Sequence, residues 1–259
     1  MIKLKSPEQI EKMRAAGQVV ARVIEALSEA IVPGKTTTGD IDRIAEEIIL
    51  AAGAKPSFKG YRGFPNAVCV SVNEEVVHGI PGKRVLQQGD IVGIDVGAVL
   101  DGWHGDSAVT LPVGEVSEEA KRLIRVTREA LFCGIAQARA GKRVSDISHA
   151  IQEHAEKHGY SVVRDLVGHG IGSELHEEVA VPNFGNPGEG PILREGMTLA
   201  IEPMVNAGGY EVESLADRWT VVTRDGSLSA HFEHTVAIRA DGPDILTLRR
   251  GEEVRLGDK

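Results

Sequence analysis

Asp95, Asp106, His169, Glu202 and Glu233 are four carboxylates and one imidazole, all set in short apolar or glycine-rich stretches where unpaired charge is costly. Asp95 interrupts the run IVGIDVGAV and Glu202 the run TLAIEPMV, both of which otherwise read as buried strands. One buried carboxylate either carries a large desolvation penalty or has its pKa raised until it is neutral. Four together call for positive charge among them. A pair of divalent metal ions would supply it, because oxygen ligands with one imidazole suit Mn, Fe, Co or Zn.

Local pattern fixes part of the geometry. Asp101-Gly102 stands between an apolar run ending at Leu100 and another starting at Trp103, which predicts a two-residue hairpin turn. Leu100 opposite Trp103 puts Asp106 opposite Gly97, two residues from Asp95. Strand side chains alternate, so the two carboxylates share a face and lie diagonally, roughly 7–8 Å apart. A three-residue loop would reverse that relation.

The elements that must carry these residues occur twice. Gly34-Lys35 with Asp40-Ile41 matches Gly141-Lys142 with Asp146-Ile147, and Leu86 to Gly89 with Asp95 matches Leu193 to Gly196 with Glu202, all at one constant interval. His78-Gly79-Ile80 answers His169-Gly170-Ile171 at a shorter interval. Two related halves would set Asp95 and Glu202 facing each other across a pseudo-twofold axis. Ser6, Pro7 and Gln9 read as N-cap, first-turn proline and capping-box partner of a helix to about Ile31. An apolar helical face follows over 41–53, then strands near 67–77, 91–99 and 104–111. The second half has helices near 117–139 and 146–158, and strands near 161–168, 197–205, 210–213, 218–224 and 229–239, with 182–191 a loop. This order predicts an α+β fold, a curved antiparallel sheet backed by helices. It is expected to form one catalytic domain over 1–259, of halves 1–112 and 113–259.

Composition sets limits. A chain of 259 residues, 42% hydrophobic and 26% charged, suits a globular enzyme, and a net charge of −9 argues against nucleic acid as the partner. Cys69 and Cys133 match no CxxC spacing, no signal peptide opens the chain, and no stretch nears the roughly 18 apolar residues of a membrane span. A cytoplasmic monomer with no membrane partner is expected.

The motifs NAVCVSVNEEVVHGIPG (66–82), GDIVGIDVGAVLDGWHGDSAVT (89–110), VGHGIGSELHEE (167–178), GMTLAIEPM (196–204) and SLSAHFEHTVAI (229–238) resemble those of the type I methionine aminopeptidases, short bacterial form, over essentially the whole chain. These belong to the pita-bread metallopeptidases, family M24. The resemblance implies a pita-bread fold that removes initiator methionine from nascent polypeptide N-termini, at the ribosome, when the second residue is small. It implies two divalent ions (Co, Mn, Fe or Zn) that activate a hydroxide. Asp95 would bind one ion, His169 and Glu202 the other, and Asp106 and Glu233 both. His78 and His176 would contact substrate and stabilise an oxyanion, Glu202 would shuttle a proton, and Tyr61, Cys69 and Trp219 would line the methionine pocket. His231 stands where these relatives usually carry Gln, on the face of Glu233; Phe64 and Leu175 replace Tyr and Phe.

Blander readings compete at each position. Asp106 after a turn is compatible with solvent exposure, His78 and His169 with structural roles, His176 among glutamates with a solvated loop, and Tyr61, Cys69 and Trp219 with plain core. His154 and His158 in HAEKH lack the glutamate of HExxH and read as a surface helix. Gly34-Lys35-Thr36 has Glu29 where a phosphate loop needs glycine, the run Gly168-His-Gly-Ile-Gly172 is too short for a dinucleotide fingerprint, and no GxSxG occurs. The alternatives to methionine removal are a proline-directed peptidase or creatinase on the same fold, or a binding protein without metals.

Overall fold

Ser6 starts the first helix as its sequence dictates. The Ser6 hydroxyl accepts from the Gln9 N–H, the Gln9 side chain accepts from the Ser6 N–H, and Pro7 fills the first helical position. The computed structural model describes residues 2–254, so both ends of the expected 1–259 domain lie outside the described residues. Its helices are α1 (Pro7–Ala30), α2 (Thr38–Ala51), α3 (Glu118–Gln137) and α4 (Val144–Lys157). Ser117 caps α3 through the Ala120 N–H, and Thr37 caps α2 through the Asp40 N–H. Each helix turns an apolar stripe inward; Ile10, Met13, Val20, Ile24 and Leu27 of α1 are buried. Among the described residues no helix is long and apolar enough to cross a membrane.

Helix α1 lies across the hairpin of strands Ile91–Leu100 and Trp103–Pro112. A Cβ on Gly105 would stand 2.6 Å from the Gly17 nitrogen, so the close approach of helix and strand depends on a missing side chain. The hairpin register is the expected one. Leu100 pairs with Trp103 and Gly97 with Asp106, and Asp101 and Gly102 both have positive φ, as a two-residue turn of this hand requires.

Among the described residues the strands form four antiparallel groups. The hairpin pairs with Val68–Val72 and Lys55–Pro56; His234–Arg239 lies between Gly242–Ile245 and Thr198–Ile201, which continues to Val167–Gly170 and Glu177–Pro182. Smaller groups join Ser229–His231, Met204–Asn206 and Ser161–Val162, and separately Val212–Ser214, Val221–Thr223 and Glu75–Val77. The first two groups meet at a buried seam. There Asp106 N–H donates to Thr235 Oγ1, Thr235 O–H returns to the Asp106 carbonyl, Ser107 O–H donates to the Glu233 carbonyl, and Glu233 N–H donates to the Ala108 carbonyl. Hydroxyls thus complete a ladder that the strand directions leave open.

Several expected strands are broken where the seam needs them broken. The run 67–77 divides at Asn73, whose φ is +60°, and its parts enter different groups. The run 197–205 stops at Ile201 and resumes at Met204, because Pro203 offers no N–H; 229–239 is interrupted at Phe232 and Glu233. Of 161–168, only Ser161–Val162 and the start of Val167–Gly170 are strand. The turns before the two central strands agree: Gly89 and Gly196 both have positive φ and precede Ile91–Leu100 and Thr198–Ile201. The matching of His78 to His169 needs correction. His169 pairs with Ala200, whose counterpart at the repeat interval is Gly93, and Gly93 pairs with Ser71. Ser71 therefore occupies the place of His169, and His78 lies just past a strand end at φ +60°.

Candidate metal centre and adjoining pocket

Asp95 and Asp106 come from adjacent strands of the hairpin, Glu233 from the break beyond the seam, Glu202 from the break after Thr198–Ile201, and His169 from the strand beside it. All five line one cavity of about 280 Å³, together with Tyr61, Cys69, His78, His176 and Trp219. Every residue given a metal, catalytic or pocket role from the sequence thus reaches the same space. Oxygen or nitrogen atoms of Asp106, His169 and Glu233 lie within 4.8 Å of one another, and so do those of Glu202, His231 and Glu233. His169 Nε2 stands 3.5 Å from Glu202 Oε1.

His169 is oriented from behind. Its Nδ1–H donates to the Gly170 carbonyl at 2.9 Å, which leaves the Nε2 lone pair facing the carboxylates. A Cβ on Gly168 would lie 2.4 Å from the Ala200 carbonyl oxygen and 3.3 Å from Glu202 Cγ, so the strand comes this close only because that residue is glycine. Burial pushes the His169 pKa down to about 3, with His176 adding to the effect. A neutral imidazole lone pair facing a carboxylate oxygen needs a proton or a cation between them.

The carboxylates make the same demand. Burial raises Glu202 to about 8 and, with help from Glu202, Asp95 to about 6. Burial and then neighbouring carboxylates raise Asp106 and Glu233 well above the usual range. Asp95 Oδ1, Asp106 Oδ1 and Glu233 Oε1 are buried without a hydrogen-bond partner. Orphaned acceptors cost free energy, and divalent cations among them would satisfy all three. The residues present fit such ions.

One wall of the cavity is apolar. Cys69 pairs with Asp95 across the ladder, so its side chain flanks that carboxylate. Burial and the adjacent acids raise its thiol pKa well above the usual value, keeping it a small neutral surface. Phe64, Leu175 and Phe58 pack with it, and the Trp219 ring meets Phe64 edge-on at 5.1 Å. His176 stacks on Tyr61 at 5.1 Å, its Nδ1 lies 2.8 Å from the Tyr61 hydroxyl, and its ring centroid is 4.1 Å from that of His169. His78 sits edge-on to Trp219 at 6.3 Å; burial lowers both His78 and His176 to about 4.

Three features went unread in the sequence. His231 was noted only as a departure, yet its buried, unpartnered Nε2 lies 3.7 Å from Glu202 Oε2. Phe58 and Arg62 also line the cavity; Arg62 holds its guanidinium 5.4 Å from the Tyr61 ring, and no spacing announced it.

A model of metallopeptidase family M24 matches residues 11–240. The methionine aminopeptidase of Clostridium acetobutylicum is 56% identical over 249 residues, covering 96% of this chain and 99% of that protein. The methionine aminopeptidase 1 of Bacillus subtilis is 56% identical over 247 residues, covering 95% and 99%. The crystal structure of the methionine aminopeptidase from Thermotoga maritima superposes with a TM-score of 0.94 at 53% identity, covering 95% of this chain and 99% of that one. The prolidase from Pyrococcus furiosus, at 23% identity and TM-score 0.78, covers 95% of this chain and 66% of that one, and shares the fold alone.

Proposed function

This chain belongs to metallopeptidase family M24, and on that premise we propose that it hydrolyses the N-terminal methionine from nascent polypeptides in the cytoplasm. The single observation that carries this reading is the meeting of four buried or half-buried carboxylates and His169 with a small apolar pocket in one cavity. Asp95, Asp106, His169, Glu202 and Glu233 would hold two divalent ions, with Asp106 and Glu233 between them and His231 beside Glu202. Ions so held supply Lewis acidity and a water of lowered pKa. The halves 1–112 and 113–259 would act as one catalytic domain.

The remaining chemistry falls to the chain itself. Tyr61, Phe64, Cys69, Leu175 and Trp219 take the unbranched thioether side chain and exclude water from it. His176 Nδ1 lies 2.8 Å from the Tyr61 hydroxyl, and a hydroxyl proton given to Nδ1 leaves the imidazole proton on Nε2. In that tautomer His176 donates to the oxyanion that develops on the scissile carbonyl, an effect of about 3 kcal/mol in comparable sites. His78 is held by its strained backbone and by Trp219 at the side where the second residue of the substrate lies. Glu202 takes the attacking water's proton and returns it to the leaving amine.

Steady-state hydrolysis of Met-Ala-Ser, Met-Leu-Ser and formyl-Met-Ala-Ser tests this reading. Rapid cleavage of the first, and poor cleavage of the branched and formylated peptides, is expected. Equal rates on all three would overturn it.

A further inference from the structure

Helices α3 and α4 pack side by side, and a second group of ligand-type side chains joins them away from the cavity described above. Glu129 lies on α3, His154 in the last turn of α4, and His158 is the residue that caps α4. One ligand atom from each lies within 4.8 Å of the others, and all three residues are half-buried. The His158 Nδ1–H donates to the His154 carbonyl at 2.7 Å, so the lone pair of His158 is on Nε2. His154 Nε2 is 3.1 Å from Glu129 Oε2, its Nδ1 is 3.6 Å from Cys133 Sγ, and the two histidine rings are 4.5 Å apart. The C-terminus of α4 adds the negative end of a helix dipole, which favours a cation. A cleft of about 550 Å³, lined in part by Glu129, Cys133, His154 and Phe132, gives access from solvent.

We propose that Glu129, His154 and His158 form a second metal site, separate from the catalytic centre, for a borderline divalent ion of the zinc type. Two imidazoles and a carboxylate are the donor set such ions prefer, with water completing a tetrahedron. In the metal-free state His154 donates through Nε2–H to Glu129, and its Nδ1 takes a hydrogen bond from the Cys133 thiol. Binding moves the imidazole proton from Nε2 to Nδ1, where it donates to Cys133 Sγ as the thiol hydrogen turns away. The total number of protons is unchanged. Cys133 is then the group behind the ligand that fixes its tautomer. Arg125 also holds Glu129, its Nη1–H reaching Oε1 at 3.0 Å and Oε2 at 3.2 Å, and keeps Oε1 when Oε2 turns to the ion. Ala155 follows His154 where HExxH has its glutamate, so the site clips α3 to the end of α4 and does not hydrolyse.

The test uses Zn(II) with the full-length protein, followed by equilibrium dialysis and by long-range ¹H–¹⁵N spectra of the histidine rings. Wild type is expected to bind one more equivalent of Zn(II) than His158→Asn or Glu129→Gln, with shifts of the His154 and His158 Nε2 resonances. Both variants should keep wild-type turnover with Mn(II), which shows that they fold. Equal Zn(II) stoichiometry in wild type and both variants would overturn the proposal. So would unmoved His154 and His158 resonances at Zn(II) levels that have already shifted His169.

Discussion

Stripping the protein of metal should make its stability fall as pH rises from 6.5 to 8. Glu202 is held near 8 by burial, against an ordinary value of 4.5. Across this window the folded chain keeps the Glu202 proton and the unfolded chain has lost it. The folded state therefore binds more protons, and stability decreases with pH by about 1.4 kcal/mol per pH unit for one such group. From 6.5 to 8 this amounts to about 1.6 kcal/mol, because Glu202 begins to ionise toward pH 8, and Asp106 and Glu233, raised in the same direction, add to it. His78, His169 and His176 offset it in part, as do His104, His231 and His234, whose folded values are also lowered. The unfolded imidazoles are half charged at pH 6.5, so each group recovers about 0.4 kcal/mol of stability as pH rises to 8. Urea unfolding of chelator-treated protein at pH 6.5, 7.2 and 8 measures the slope, which added Mn(II) should flatten. Metal-free stability that is level or rising over this window would refute the claim that these carboxylates are crowded and unpaired.

Asp106→Asn should lower metal affinity and turnover by about a hundredfold, because removing one partner from a buried charged group costs about 3 kcal/mol. The same change should stabilise the metal-free protein, since it relieves repulsion from Asp95 and Glu202; calorimetry and thermal melts read the two opposite signs. Tyr61→Phe keeps the stacking on His176 but deletes the hydrogen bond to its Nδ1. At about 0.5–1.5 kcal/mol for that bond, kcat should drop roughly 2- to 10-fold with KM little changed. In Gly168→Ala the new Cβ meets the Ala200 carbonyl, so a loss of about 1–3 kcal/mol in unfolding free energy should accompany weaker metal binding.

Local rules carried the hairpin completely: Asp101-Gly102 set the turn, and the turn set Asp106 beside Asp95. The Ser6 cap and the helical apolar stripes were equally plain, because each depends on neighbours in sequence. The strand break at Pro203 follows from that residue's missing N–H and was legible, but the one at Phe232 and Glu233 was not. The break is imposed by the seam, where Thr235 and Ser107 bond to a distant segment. The likeness of His78-Gly-Ile to His169-Gly-Ile misled because three shared residue types say nothing about pairing, whereas register puts Ser71 in that place. His231 was visible as an oddity, but its distance to Glu202 depends on two chain segments that only the fold brings together.

The most direct test of the metal centre is turnover of Met-Ala-Ser by protein dialysed against chelator, then by the same sample with Mn(II) or Co(II) restored. The five convergent ligands predict loss of activity on removal and recovery on addition, with half-maximal recovery shifted to higher metal concentration in Glu233→Gln. Undiminished hydrolysis by protein shown to be metal-free would contradict the account.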